Sequence, residues 1–175
     1  MAVAALNAGI GEGGAFLDTD LEDEFEIVDL NVRSTVHLAK RLLRSMAAAG
    51  EGRMLITSSI ASPHAGLVPG RVQRLEIVPA VLLPSAAERA QGHAPDGTAL
   101  MPGPTDTDFF RRADMGDTKV GQSEKDDPAQ VAEQALDALF AGKDKVVAGS
   151  LKTRAQANKV LPNSLKAEAV SYTHL

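Results

Sequence analysis

The stretch Gly52-Arg53-Met54-Leu55-Ile56-Thr57-Ser58-Ser59 decides how this chain reads. It has the character of a buried strand that ends in two hydroxyl side chains. Buried strands of this kind belong to parallel sheets covered by helices. Open sheets of that class place ligands at the carboxyl ends of their strands. Ser58 and Ser59 fall at that end, although two serines there are equally ordinary turn formers.

Upstream of this strand, Val3 to Leu6 reads as a shorter buried strand followed by Asn7-Ala8-Gly9. Gly9, Gly11 and Gly14 fit a G-x-G-x-x-G pattern. A phosphate-binding loop of that type needs a helix that starts inside the glycines. Here the helix starts later, and Asp18, Asp20, Glu22 and Asp23 would repel a phosphate, so the stretch reads as a loop. Thr19 and Glu22 form a capping box, which starts a helix there. Val28, Val32, Val36 and Leu43, with Leu38, Leu42 and Met46, keep helical spacing to about Ala49. Gly50 is a natural stop. One helix and two helices broken near Asp29 fit this pattern equally. Asn31 lies inside it, where an asparagine is usually solvated and mildly unfavourable.

Downstream, residues 63–97 are irregular, with prolines at 63, 69, 79, 84 and 95 and no sustained period. Order returns with a short strand at Thr98–Met101, then Pro102-Gly103-Pro104-Thr105-Asp106-Thr107 and a loop to about Asp126. Asp127 as cap and Pro128 in the first turn start another helix. Its expected inner face is Val131, Ala135, Leu136 and Leu139, with Phe140 adjoining, and Gly142 ends it. Lys145–Ala148 is the last strand, and Lys152 to Ala169 is expected to be helical.

The whole chain has 175 residues and a formal charge of −5, enough length for one domain with a real core. Charge of both signs is spread along it, so neither nucleic acid nor a membrane surface is an expected partner. With no cysteine, disulfides and thiolate metal sites are excluded, and no metal is expected. No apolar run approaches a membrane span and the start lacks a basic signal region, so the expected location is cytoplasmic.

Helices alternating with buried strands give a parallel α/β sheet. Four pieces in this order resemble the short-chain dehydrogenase/reductase family: Asn7-Ala8-Gly9 after a strand, Asn31 in the long helix, Ser59 after Ile56-Thr57-Ser58, and Pro102-Gly103-Pro104-Thr105-Asp106-Thr107 after a later strand. The resemblance implies a partial Rossmann-like, doubly wound parallel sheet with flanking helices, covering residues 1–169 as the C-terminal part of one domain. It implies NAD or NADP as cofactor and a small carbonyl or alcohol substrate. On the family pattern Ser59 hydrogen-bonds the substrate oxygen and Asn31 holds a water in the proton relay. Asn7, Ala8 and Gly9 border the cofactor, where a side chain at position 9 would intrude. Pro102, Gly103 and Thr107 line the nicotinamide side. The family also implies a homo-oligomer through the helix around Asn31.

Three departures from the family pattern stand out. Its glycine-rich phosphate loop lies in an earlier strand–helix unit than any found here. Its catalytic tyrosine and lysine positions, counted from Ser59, hold Val72 and Glu76. Valine transfers no proton, and glutamate reverses the lysine's charge. One choice of codons for His64–Glu76, shifted by one base, encodes Met-Pro-Gly-Ser-Phe-Gln-Ala-Val-Tyr-Asn-Ala-Ser-Lys. We therefore expect residues 63–97 to be frameshifted, with a compensating shift before Thr98; a diverged loop is the alternative. Residues 170–175 resemble translated sequencing adapter, and a genuine short tail is the alternative there. The resulting expectation is an oxidoreductase relative that is itself inactive. Its alternatives are a catalytically silent nucleotide-binding or dimerisation module, and a non-functional gene fragment.

Overall fold

The computed structural model describes residues 2–59, 83, 95–150 and 153. Four strands form one parallel sheet in the order β1 (Val3–Leu6), β2 (Arg53–Thr57), β3 (Asp96–Pro102) and β4 (Lys145–Ala148). Leu6 pairs with Ile56, Thr57 with Leu100 and Met101 with Val147, so the strands' carboxyl ends lie side by side.

Alternation along β2 divides the core, because successive strand residues point to opposite faces. Met54 and Ile56 join Ala39 and Met46 on one face, with Ala4, Leu6, Leu42 and Leu43 packed against them. Leu55 points the other way and meets Leu100, Val131, Ala135, Leu139 and Val146. Both faces are thus helix-covered, which explains why the middle of β2, Met54–Ile56, is apolar rather than alternating. The described residues form the expected α/β, Rossmann-like, doubly wound architecture. The β1–β2 and β3–β4 connections step in the same direction along the sheet, yet their helices lie on opposite faces. The two crossovers therefore differ in hand, and one departs from the right-handed rule.

The first helical region runs unbroken through α1 (Leu21–Ile27), a π-helical segment (Val28–Ser34) and α2 (Thr35–Ala49). The cap is Asp20, not Thr19. Its carboxylate accepts from the Glu22 N–H at 2.8 Å, while the Thr19 hydroxyl donates to Glu24 at 2.7 Å. Gly50 ends α2 with φ 69°, a left-handed conformation that glycine adopts without a Cβ penalty. The buried stripe coincides only in part with the residues that keep helical spacing in the sequence; Met46 belongs to both, and Leu42 and Leu43 pack against the core. Ile27, Thr35, Ala39 and Met46 are buried, whereas Val28, Val36 and Leu38 are exposed. The helix carries two apolar stripes and the sheet covers only one.

Asp127 caps α4 (Pro128–Phe140) through the Ala129 N–H, as the sequence indicates. Its inner face is Val131, Ala135, Ala138 and Leu139. Leu136 and Phe140 stay exposed, because α4 meets the sheet through its small residues. A short helix α3 (Phe109–Arg112) lies in the preceding loop. β1 is less buried than expected, with Val3 at 45% exposure, since it lies at an edge of the described sheet. The expected helix 152–169, the irregular stretch around Val72 and Glu76, and the tail 170–175 fall outside the described residues apart from Leu83, Pro95–Gly97 and Thr153.

Candidate active site

At the carboxyl ends of β1, β2 and β3 the loops open into a cleft of about 810 Å³. Every described candidate lines it: Asn7, Ala8, Gly9, Asn31, Ser59, Pro102, Gly103 and Thr107. Residues separated by more than ninety positions in sequence converge there because three parallel strands end at the same level.

Local bonding fixes the first wall. The Thr57 hydroxyl donates to Asn7 Oδ1 at 2.7 Å, tying the end of β2 to the loop after β1. Asn31 binds the same loop twice: Oδ1 accepts from the Ile10 N–H at 3.0 Å, and Nδ2 donates to the Ile10 carbonyl at 2.7 Å. This explains an amide in the middle of a helix. It satisfies backbone groups of the loop that no strand pairs. The asparagine sits in the π-helical segment, a rare geometry often found at functional sites.

The opposite wall begins where β3 ends. The Gly103 N–H donates to the Ala148 carbonyl at 3.3 Å, and the Thr105 hydroxyl donates to the Gly103 carbonyl at 2.9 Å. Thr107 accepts weakly from the Phe109 N–H at the start of α3. The Ser58 N–H donates to the Leu100 carbonyl at 2.7 Å, extending the β2–β3 pairing to the brink of the cleft.

Two kinds of glycine meet at the site. Among the described residues, a Cβ at Gly9 would meet only Asn31, in an ordinary contact at 3.4 Å. A Cβ at Gly11 would stand 2.8 Å from the Phe109 ring. One at Gly103 would stand 2.3 Å from Thr153 Cγ2, so Gly103 has a packing reason that needs no ligand.

Phe109, Phe110, Val131, Ala132 and Leu136 add an apolar side to the cleft. Among the described residues its charged lining is Asp108 and Arg112, whose exposed pairing at 3.8 Å contributes little. Nearby, burial followed by the carboxylates of Asp23, Asp114 and Glu24 raises the Glu12 pKa above its ordinary value. Among the described residues no group of three His, Cys, Asp or Glu side chains is placed to hold a metal ion. No described helix is long and apolar enough to cross a membrane.

Residues 3–69 match the sequence model of the family described as short chain dehydrogenase. The chain resembles a partial short-chain dehydrogenase/reductase. Solved structures share its fold. A short-chain dehydrogenase from Sphingobium yanoikuyae in complex with NADPH has a TM-score of 0.73 at 16% identity, over 100% of this chain and 66% of that one. An alcohol dehydrogenase from Thermococcus sibiricus complexed with 5-hydroxy-NADP has 0.62 at 22%, over 86% and 63%. A gluconate 5-dehydrogenase from Burkholderia cenocepacia in complex with NADP and tartrate has 0.65 at 16%, over 84% and 62%. This chain therefore spans just under two-thirds of the length of these three solved structures. The comparison with curated proteins finds no match.

Sequence reasoning missed Thr57 and Ile10 as parts of the site. Thr57 was legible as a third hydroxyl beside the serines. Ile10 acts through its backbone, which leaves no trace in side-chain identity.

Proposed function

We propose that the cleft is the nicotinamide and substrate side of an NAD(P)-dependent oxidoreductase site acting on a small carbonyl or alcohol. The observation that carries this reading is the convergence of Asn7–Gly9, Asn31, Ser59 and Pro102–Thr107 on one cleft at the strands' carboxyl ends. Gly9 supports it further, since among the described residues a Cβ there would meet only Asn31. When bound, the dinucleotide supplies or accepts the hydride.

In this reading the Ser59 hydroxyl hydrogen-bonds the substrate oxygen. Asn7, Ala8 and Gly9 border the cofactor, and Pro102, Gly103 and Thr107 line its nicotinamide side. Asn31 holds the Asn7–Gly11 loop through Ile10. A relay water at Asn31 then needs its main-chain carbonyl or the second Nδ2 hydrogen. Proton transfer lacks its donor, because Val72 and Glu76 stand at the family's tyrosine and lysine positions. General acid–base catalysis typically contributes about 10² to 10⁴, so turnover by this chain is expected to be lower by that order or more.

Titration of NADPH fluorescence against the purified chain and its Gly9→Ala variant tests the reading. The variant should melt like the parent and lose on the order of tenfold or more in affinity. Equal affinity would remove the cofactor from this wall. A second reading, self-association through the helix around Asn31, is favoured by the exposed Leu21, Phe25, Val28, Val36 and Leu38. Light scattering that shows only monomer would exclude it.

A further inference from the structure

Asp126 lies behind the cleft wall and is 6% exposed. A buried carboxylate is costly unless donors surround it. Here Oδ1 accepts from the Ser150 N–H at 3.0 Å, and Oδ2 accepts from the Thr153 hydroxyl at 2.6 Å. Its backbone is equally engaged. The Asp126 N–H donates to the Pro104 carbonyl at 2.7 Å, and its carbonyl accepts from the Asp106 N–H at 2.9 Å. These bonds make a parallel bridge between Thr105 and Asp126.

Two glycines make room for the carboxylate. A Cβ at Gly103 would stand 2.9 Å from Oδ2, and one at Gly149 would stand 2.2 Å from it. One residue thus joins the turn that lines the cleft, the chain leaving β4, and Thr153. We infer that Asp126 is a positioning residue: its carboxylate anchors residues 150 and 153, and its backbone holds the Pro102–Thr107 turn against that anchor. The turn's shape is set from behind, by a carboxylate that lies against Gly103 and is not among the described residues lining the cleft. The functional consequence rests on the oxidoreductase reading; the positioning itself does not.

The test uses the full chain and hydrogen exchange at single amides. Thr153→Val keeps the side chain's shape and removes the hydroxyl, leaving Oδ2 buried without that donor. Exchange at the Gly103 and Asp106 amides should then rise on the order of tenfold or more, while Leu55 and Ile56 in β2 stay unchanged. Thr153→Ser restores the hydroxyl and should restore wild-type exchange. Asp126→Asn, whose amide can still accept from Ser150 and donate to Thr153, should remain close to wild type. Unchanged exchange at Gly103 and Asp106 in Thr153→Val, or equal acceleration throughout β2, would overturn the inference. NADPH titration adds an independent arm: Thr153→Val should bind more weakly and Thr153→Ser normally. If the wild-type chain binds no NADPH, the cofactor reading fails, and the exchange experiment still decides the role of Asp126.

Discussion

Replacing Asn31 by alanine removes the two bonds that hold the loop after β1. Each neutral hydrogen bond contributes about 0.5–1.5 kcal/mol net, so the pair is worth about 1–3 kcal/mol. Two effects reduce this. The site is half-buried, so water can reach Ile10 once the amide is gone. Alanine is also the better helix former, by about 0.5 kcal/mol. The expected net cost is about 1 kcal/mol, which lowers Tm by about 2–4 °C for a chain of this size. A thermal melt reads that shift, and hydrogen exchange reads its location: the Ile10 amide should exchange on the order of tenfold faster while α4 is unaffected. Asn31→Asp can still accept from the Ile10 N–H but sets a carboxylate against the Ile10 carbonyl, so it should not restore stability. An alanine variant that melts at or above wild type, with Ile10 exchange unchanged, would refute the claim that this asparagine fastens the loop.

Arg53 should matter at the opposite end of the sheet. Its guanidinium donates to the Phe140 carbonyl at 2.7 Å at the C-terminus of α4, lies 5.5 Å from the Phe140 ring centroid and pairs with Asp96 at 3.4 Å. Arg53→Ala should cost about 1–2 kcal/mol in a denaturant melt, and Arg53→Lys should recover only part, since a single ammonium cannot reproduce the fork. A lysine variant as stable as wild type would contradict this geometry. Glu12 gives a pH dependence. Its folded-state pKa is raised, so its stabilising contribution is complete below the unfolded value and is lost as pH rises through the folded one. Glu12→Gln should therefore gain stability over wild type at neutral pH, with the gap closing below about pH 4; a gap independent of pH would show that the carboxylates of Asp23, Asp114 and Glu24 do not act on it.

Local chemistry made several elements readable in the sequence. The apolar run Met54–Ile56, the Asp127-Pro128 helix start and the left-handed Gly50 each follow from their own residues. Facing was harder. Val28 and Val36 keep helical spacing as well as Ile27 and Thr35 do, and only the sheet decides which stripe it covers. Capping slipped by one residue because Thr19 and Asp20 are both competent caps. Asp126 and Asp127 show why the site was only partly legible. They are adjacent and chemically identical, yet one caps a helix in solvent and the other is buried behind the cleft. Pro128 marks Asp127 as a cap, but nothing nearby in sequence marks Asp126 as buried, because its donors come from Ser150 and Thr153. Asn31 was likewise without local meaning, and only the family resemblance singled it out. Val72 and Glu76, on which expected inactivity turns, lie outside the described residues.

The most direct test of the account is an amide-resolved map of the wild-type chain with and without NADPH. The account predicts changes confined to residues 7–11, 57–59 and 102–107, the three loops that meet at the strands' carboxyl ends. A map in which those loops are untouched by saturating NADPH would contradict it.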